Sequence, residues 1–567
     1  MYSNKESVNI LTALLVKHGV SHAVVCPGSR NAPIVHNLNE CPDIQCHPVT
    51  DERSAAFYAL GMSQALDSPV AVCVTSGSAL LNVMPATAEA YYQHVPLVVI
   101  SADRPPQWIG QLDGQTLPQP GTLEPFVAAS VTLPEPHDAE SRCYCNRLVN
   151  EALLAMNSGD CRPVHINVPL SEPLFTFDVA ELPAERTIGR YRPQADYSCL
   201  PAAFLDGFFA AQRPMIVFGQ SRPGDFEGCG LDCLFSHVIV LHEALAPFPS
   251  TSLFDDVLGH DDMAHPDFII YVGNCIVSKR LRHFLREAEG AVSWRISPSG
   301  DVEDTFCNLR GVIVGDADFV LQALDKKMHS RNTAHQSAYR RQWLHALSRA
   351  SERAASFEPP FSQMAAVKAL EAQLPEAFGK AALSAPPPVC EGRSDEAVFV
   401  HYANSSAIRL ANIYARHHVW CNRGVNGIEG SLSTAAGFSV ATSATVVCVI
   451  GDLSFFYDQN ALWNRNLRGN LRILLLNNGC GGIFSRLPGL EQSPARDGLV
   501  AGRHQTSAEG ICRQNGVDYL AARDSTELQQ GIARLLSADA PHPVLLEVLT
   551  DPVEDERALR MYSSERA

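Results

Sequence analysis

Short, almost uninterrupted apolar runs alternate along the whole chain with stretches of helical periodicity. Runs of this kind are the mark of parallel strands buried on both faces, and parallel strands need long crossover connections, usually helices. The fold class is therefore α/β, built from doubly wound parallel sheets. The first third predicts strands at His22–Cys26, Val70–Thr75, Leu97–Ser101 and Val164–Val168, with helices at Glu52–Ala65 and Leu80–Tyr92. A second set falls at Met215–Phe218, Val238–Leu241, Phe268–Val272, Val292–Ile296 and Gly311–Val314, and a charged helix at His335–Phe357 follows it. The last third repeats the alternation at Ala397–His401, His418–Asn422, Thr445–Ile450, Leu471–Asn477 and Val544–Leu549. A chain of 567 residues accommodates three such units, expected over 1–182, 196–330 and 345–567. The polar segment 182–201, with three prolines, reads as a linker, and the Pro/Gly/Ser-rich insert at 378–396 as a solvent loop.

Composition narrows the class of function. Hydrophobic residues at 46% and charged residues at 19% exclude a disordered, collagenous or coiled-coil protein. A net charge of −17 offers no long-range attraction to nucleic acid or to an anionic membrane, so neither is expected as a partner. No apolar run approaches the roughly 20 residues that span a bilayer. Ser3-Asn4-Lys5-Glu6 reads as a helix capping box and not as the start of a signal peptide. The 17 cysteines contain no C-x-x-C pair; they read as small buried residues of a reducing cytoplasm and not as structural zinc ligands.

The most specific chemical signal is Val447-Cys448-Val449-Ile450-Gly451-Asp452, followed by Asn477-Asn478-Gly479-Cys480-Gly481-Gly482. Both segments place polar residues just past a buried strand, where open α/β sheets bind ligands. A carboxylate, an amide oxygen 26 residues later and a main-chain carbonyl are hard donors suited to Mg²⁺, and the glycines allow backbone N–H groups to approach a diphosphate. Asp51 and Glu52 open a helix as cap and first-turn acid, with Thr75-Ser76-Gly77 and Pro27-Gly28-Ser29-Arg30 at strand ends of the same unit. Arg30, Arg104, Lys279, Arg280, Arg409 and Arg423 also fall at strand ends or loops, positions where sites are built.

An early glutamate and a Gly-Asp…Asn-Asn motif in the last third resemble the thiamine-diphosphate enzyme superfamily, across essentially the whole chain. Cys26-Pro27-Gly28-Ser29-Arg30, Asp51-Glu52-Arg53, Ala102-Asp103-Arg104-Pro105-Pro106, Ser278-Lys279-Arg280-Leu281, Asn404-Ser405 with Arg409, and Asn422-Arg423-Gly424 are similar to one family within it. That family is the 2-succinyl-5-enolpyruvyl-6-hydroxy-3-cyclohexene-1-carboxylate synthases of menaquinone biosynthesis. Gly451-Asp452-Leu453-Ser454, in place of the commoner Gly-Asp-Gly, agrees with it. The resemblance implies decarboxylation of 2-oxoglutarate on thiamine diphosphate and 1,4-addition of the succinyl-semialdehyde carbanion to isochorismate. It also implies a pyrimidine-binding first unit, a central unit, and a third unit that binds diphosphate and metal.

Residue roles carry over from the same resemblance. Glu52 would bond the aminopyrimidine. Asp452, Asn478 and the Cys480 carbonyl would hold Mg²⁺, or Mn²⁺. Ser405, Gly451, Leu453, Ser454 and Gly481 would border the diphosphate, with Ile428 as the apolar wedge beneath the cofactor. Ser29, Arg30, Gln115, Arg409 and Arg423 would contact the reacting substrates, and Arg104, Lys279 and Arg280 the isochorismate carboxylates. Gly114 stands where the family often has Asn, which removes one expected amide. The glutamate and the diphosphate site would come from different subunits of a homodimer or homotetramer. No histidine is expected to be obligatory; His47 and His94 read as packing or surface residues. Two alternatives stay open: an acetolactate-synthase-type carboligase, and a catalytically silent regulatory paralogue. The Val217-Phe218-Gly219-Gln220-Ser221-Arg222 turn lacks a full dinucleotide fingerprint and reads as structural.

Overall fold

The computed structural model describes residues 1–564 apart from 158, 192–198, 227–228, 332–333, 385–386, 388–396, 488 and 539. Residues 192–198 of the 182–201 linker, and most of the 378–396 insert, thus lie outside the described residues. Among the described residues, three all-parallel sheets form. The first contains β1 (His22–Val25), β2 (Gln45–Pro48), β3 (Val70–Val74), β4 (Leu97–Asp103), β5 (Ala129–Thr132) and β6 (Val164–Pro169), in the order β2-β1-β3-β4-β6-β5. The second contains β7 (Pro214–Phe218), β8 (Ile239–His242), β9 (Phe268–Val272), β10 (Val292–Ser297) and β11 (Leu309–Val314), in the order β11-β10-β9-β7-β8. The third contains β12 (Val398–Tyr402), β13 (Thr445–Gly451), β14 (Leu471–Asn477), β15 (Asp518–Ala522) and β16 (Val544–Leu549), in the order β12-β13-β14-β16-β15. The fold class is as the apolar runs predict.

The first and third sheets share one core. The helices Glu52–Leu66 and Ser431–Ala441 lie between them, nearly devoid of exposed residues, and Phe57, Leu60, Leu432 and Phe438 pack in a single apolar cluster with side chains of β3 and β13. Gly61 and Gly437 let the two helices touch backbone to backbone, since a Cβ on Gly61 would stand 1.9 Å from the Thr434 carbonyl oxygen. A second cluster joins the central sheet to the opposite face of the third through Leu281, Trp343, Leu370 and Leu410. No helix among the described residues is long and apolar enough to cross a membrane.

Four local expectations need correction. His418–Asn422 is not a strand: Trp420 alone bridges to β12, while the Val419 N–H donates to Ala244 of the central unit, so the segment's backbone is divided between two partners. The helix expected at Leu80–Tyr92 is two, Ser78–Asn82 and Met84–Gln93, because Pro85 has no N–H to continue the ladder. The Ser3 capping box does not form: the helix begins at Glu6 with Lys5 at its cap, and the Ser3 amide donates instead to Asn37 Oδ1 at 2.8 Å. β2, β5 and β15 escape the apolar-run criterion because they are edge strands, partly exposed and not continuously apolar.

Candidate active site

Three adjacent strands of the first sheet, β1, β3 and β4, end in the segments 26–30, 75–77 and 103–104. Ser29 is exposed beside Arg30, which is buried and donates to the Leu170 carbonyl at 2.8 Å and to Glu172 Oε1 at 3.0 Å. Burial, and next the positive charge of Arg104, lower the Arg30 pKa, so two cations face one region. Arg104 itself is half-buried and stands 3.7 Å from Asp113. Gln115 is exposed with φ +56°, and its backbone packs against Gly77, which adopts φ +85° where a side chain would be strained. A buried network supports this end: Gln119 accepts from the Gly77 N–H and donates to Asn167, whose amide donates to Asp103.

Glu52 is the first residue of its helix, half-buried, and accepts from Asn82 Nδ2 at 3.2 Å. Asp51 caps that helix as predicted, accepting from the Ser54 N–H at 3.0 Å. Both neighbours of Glu52 reach the third unit: Asp51 accepts from Asn460 Nδ2, and Arg53 donates to the Tyr457 carbonyl while stacking on its ring.

The third sheet repeats the arrangement with β12, β13 and β14. Ser405, at φ +75°, precedes the helix Ser406–Tyr414 that carries Arg409, and Arg409 Nη1 donates to the Ser405 carbonyl at 2.6 Å. Gly451 has open space where a Cβ would stand. Asp452 is 3% exposed, and its Oδ2 accepts the Cys480 N–H at 3.1 Å and lies 3.4 Å from His504 Nε2. Burial raises its pKa: this is a carboxylate set in a poorly solvated place with too little positive charge beside it. Asn478 donates Nδ2 to Asp555 at 2.8 Å, which fixes its amide so that Oδ1 turns toward the Cys480 N–H. The Cys480 thiol is pushed up to about 11, first by burial and then by Asp452.

Ser454 donates to the Ile428 carbonyl, and the Ile428 side chain is 43% exposed, an apolar group held out of the core. Leu453 is half-buried against Gly481. Among the described residues no three His, Cys, Asp or Glu side chains gather as a metal site. Asp452 and the Asn478 amide oxygen nevertheless fit a divalent ion completed by phosphate oxygens, and the exposed Ile428 with the open edge at Gly451 fits a bound cofactor.

A cavity of about 370 Å³ brings Lys279, Arg280, Ser406, Arg409, Asn478 and Asp555 together. Lys279 and Arg280 are exposed at the start of the helix Lys279–Arg286, so the central unit contributes cations to the third unit's strand ends. Arg423 is buried apart from them, donating to Asn404 Oδ1 at 3.0 Å, with its Nε unpartnered. A larger cavity, about 620 Å³, opens where the three units meet, but none of the predicted site residues lines it. The smaller one is lined by four of them, Lys279, Arg280, Arg409 and Asn478. Among the described residues no hydrogen bond or ion pair joins Glu52, Ser29, Arg30, Arg104 or Gln115 to Asp452, Asn478, Lys279 or Arg280.

Sequence reasoning missed four residues. His504 stands against Asp452 from an irregular polar loop, and nothing in the sequence around it marks a site. Asp555 could have been found, since it lies just after β16 on the same sheet edge. Glu89, in mid-helix, accepts the Gly424 and Val425 N–H groups beside Arg423; Glu243, after β8, accepts the Val277 and Ser278 N–H groups. Burial raises the Glu89 pKa and pushes Glu243 up to about 7.

Strand-end glycines around an acid-amide pair on one sheet, matched by a helix-opening glutamate on another, are the arrangement that the resemblance to thiamine-diphosphate enzymes implies. Family models agree: the N-terminal TPP binding domain of thiamine pyrophosphate enzymes matches residues 6–122, and the C-terminal TPP binding domain matches 403–548. Over 99% of both chains, the sequence is 42% identical to the 2-succinyl-5-enolpyruvyl-6-hydroxy-3-cyclohexene-1-carboxylate synthase of Bacteroides thetaiotaomicron. It is 33% identical to that of Porphyromonas gingivalis, over 99% of this chain and 97% of the relative. It is 34% identical to that of Desulfotalea psychrophila, over 97% and 99%. The chain belongs to the 2-succinyl-5-enolpyruvyl-6-hydroxy-3-cyclohexene-1-carboxylate synthase family, which sets aside the acetolactate-synthase-type alternative.

Proposed function

We propose that this enzyme decarboxylates 2-oxoglutarate and joins the resulting four-carbon unit to isochorismate by 1,4-addition, a step of menaquinone biosynthesis carried out in the cytoplasm. The observation that carries the substrate assignment is the cavity where Lys279, Arg280 and Arg409 converge beside Asn478 in a chain of net charge −17. Both substrates carry two carboxylates, and guanidinium groups bind such anions through a planar fork. Bound thiamine diphosphate supplies the electron sink that makes loss of CO₂ from a 2-oxo acid feasible.

The chain's own residues do the rest. Glu52 exchanges a proton with the cofactor's aminopyrimidine nitrogen. Asp452, Asn478 Oδ1 and the Cys480 carbonyl hold Mg²⁺, with Mn²⁺ as a substitute. Ser405, Gly451, Leu453, Ser454 and Gly481 border the diphosphate, and Ile428 supports the ring system. Ser29, Arg30, Gln115, Arg409 and Arg423 orient the reacting carbons; Arg104, Lys279 and Arg280 bind the isochorismate carboxylates. Two half-sites per chain favour a homodimer, or a pair of dimers, in which Glu52 of one copy meets Asp452 of another. A division into units at 1–182, 196–330 and 345–567 is supported by the fall of one sheet within each.

Protein mixed with thiamine diphosphate, Mg²⁺, 2-oxoglutarate and isochorismate should yield the succinylated cyclohexene carboxylate by mass spectrometry, and Glu52→Gln should form none. Preferential CO₂ release from pyruvate, or no adduct with isochorismate, would overturn the assignment.

A further inference from the structure

Glu243 lines neither cavity, yet it is 3% exposed and stands between the two helices that carry the cavity's cations. Its Oε2 accepts the Val277 N–H at 2.6 Å and its Oε1 the Ser278 N–H at 2.7 Å. Ser278 in turn caps the helix Lys279–Arg286, its Oγ accepting the Leu281 N–H at 3.0 Å and donating to Asp255. The carboxylate therefore anchors the residue from which Lys279 and Arg280 project. On the other side, the Ala244 N–H donates to Asn412 Oδ1 at 3.0 Å, and Asn412 lies on the Arg409 helix. Asp255 also accepts the Ser278 hydroxyl and pairs with Arg280 at 3.6 Å, completing the brace.

We infer that Glu243 is a positioning residue that fixes Lys279 and Arg280 relative to Arg409 and thereby sets the enzyme's fit to its dicarboxylate acceptor. Only a group with two acceptor oxygens satisfies both N–H donors. An amide in its place offers one acceptor and turns an NH₂ toward the other donor, so the loop must move. The inference rests on the assignment of Lys279 and Arg280 to isochorismate, and its test separates the two.

In the holoenzyme, Glu243→Gln should raise the KM for isochorismate by about tenfold or more. The single-turnover rate of CO₂ release from 2-oxoglutarate, measured without isochorismate, should stay within about twofold of the unaltered enzyme. Lys279→Ala is run beside it. A raised KM in Lys279→Ala with none in Glu243→Gln overturns the positioning role alone; no change in either overturns the substrate assignment and the inference together. A parallel fall of CO₂ release and isochorismate use, with a lowered melting temperature, makes Glu243 merely structural and also overturns it. If Glu243→Gln does not fold, Glu243→Asp, one methylene short of the loop, is judged by the same split.

Discussion

The contact between the helices Glu52–Leu66 and Ser431–Ala441 should be a sensitive point for both stability and catalysis. Gly61→Ala puts a methyl 1.9 Å from the Thr434 carbonyl oxygen, 2.8 Å from its carbon and 2.9 Å from the Phe438 nitrogen. Ordinary contact begins at 3.4 Å, so the helices must part by about 1.5 Å. Every obstructing atom belongs to the backbone, so no side chain can swing aside. The reciprocal contact is as tight, since a Cβ on Gly437 would stand 2.2 Å from the Tyr58 carbonyl oxygen. Overpacking of this kind costs about 1–3 kcal/mol, and a backbone-to-backbone clash belongs at the upper end. At about 2–4 °C per kcal/mol, the first transition in a calorimetric scan should fall by roughly 6–12 °C. Glu52 opens the displaced helix, and a misplacement of about 1 Å can cost about 10²-fold in rate. Product formation should therefore fall about a hundredfold in protein that is still folded by circular dichroism at 20 °C. Gly510→Ala, in a helix where the new methyl meets nothing, is the control and should leave both quantities unchanged or slightly improve stability. A Gly61→Ala protein with unaltered melting and turnover would refute the claim that this crossing sets the geometry.

Two further outcomes follow from the buried groups. Asp452→Ala should remove binding of thiamine diphosphate plus Mg²⁺ in isothermal titration calorimetry, because the hard donor opposite Asn478 is lost; unchanged affinity would contradict the metal assignment. His165 is fully buried between the Ser101 and Ser130 hydroxyls, and burial lowers its pKa to about 4. With a folded pKa below the unfolded 6.5, the unfolded chain binds the proton first, so stability present above pH 6.5 is lost as pH falls toward 4. The loss from this ring reaches about 2 kcal/mol at pH 5. Raised carboxyls at Glu243, Asp225 and Asp458 act in the opposite direction over the same interval, so the whole-protein profile mixes both. The difference isolates the ring: His165→Gln should melt lower at pH 7.5 yet lose less between pH 7 and 5 than the unaltered enzyme. Parallel profiles would contradict the assignment.

Strand ends were legible because the sequence writes them twice, as an apolar run and as the polar turn that follows. Asp452, Asn478, Ser405 and Arg30 all occupy such turns, and the structure sets their strands side by side in two sheets. What the sequence does not express is exposure that runs against residue type. Ile428 resembles core and is held outward; Arg30 and Arg423 resemble surface charges and are buried. Both reversals are stabilised by partners far along the chain, Ser454 for Ile428, Leu170 and Glu172 for Arg30, and Asn404 for Arg423.

The acids that brace the site were harder still to see. Glu243 binds backbone N–H groups, and Glu89 binds two of them besides the amide of Gln93 one turn away; a backbone donor carries no residue identity, so no long-range pairing of side chains signals either acid. Each holds the segment that bears a cation, Arg423 in one case and Lys279 with Arg280 in the other. The cost of burying a carboxylate is met by two N–H donors whose positions are thereby fixed. In a chain with more acids than bases, acids behind the cations can order them through the backbone: among the described residues Glu89 and Glu243 form no ion pair with Arg423, Lys279 or Arg280, and it is Asp255 that pairs with Arg280.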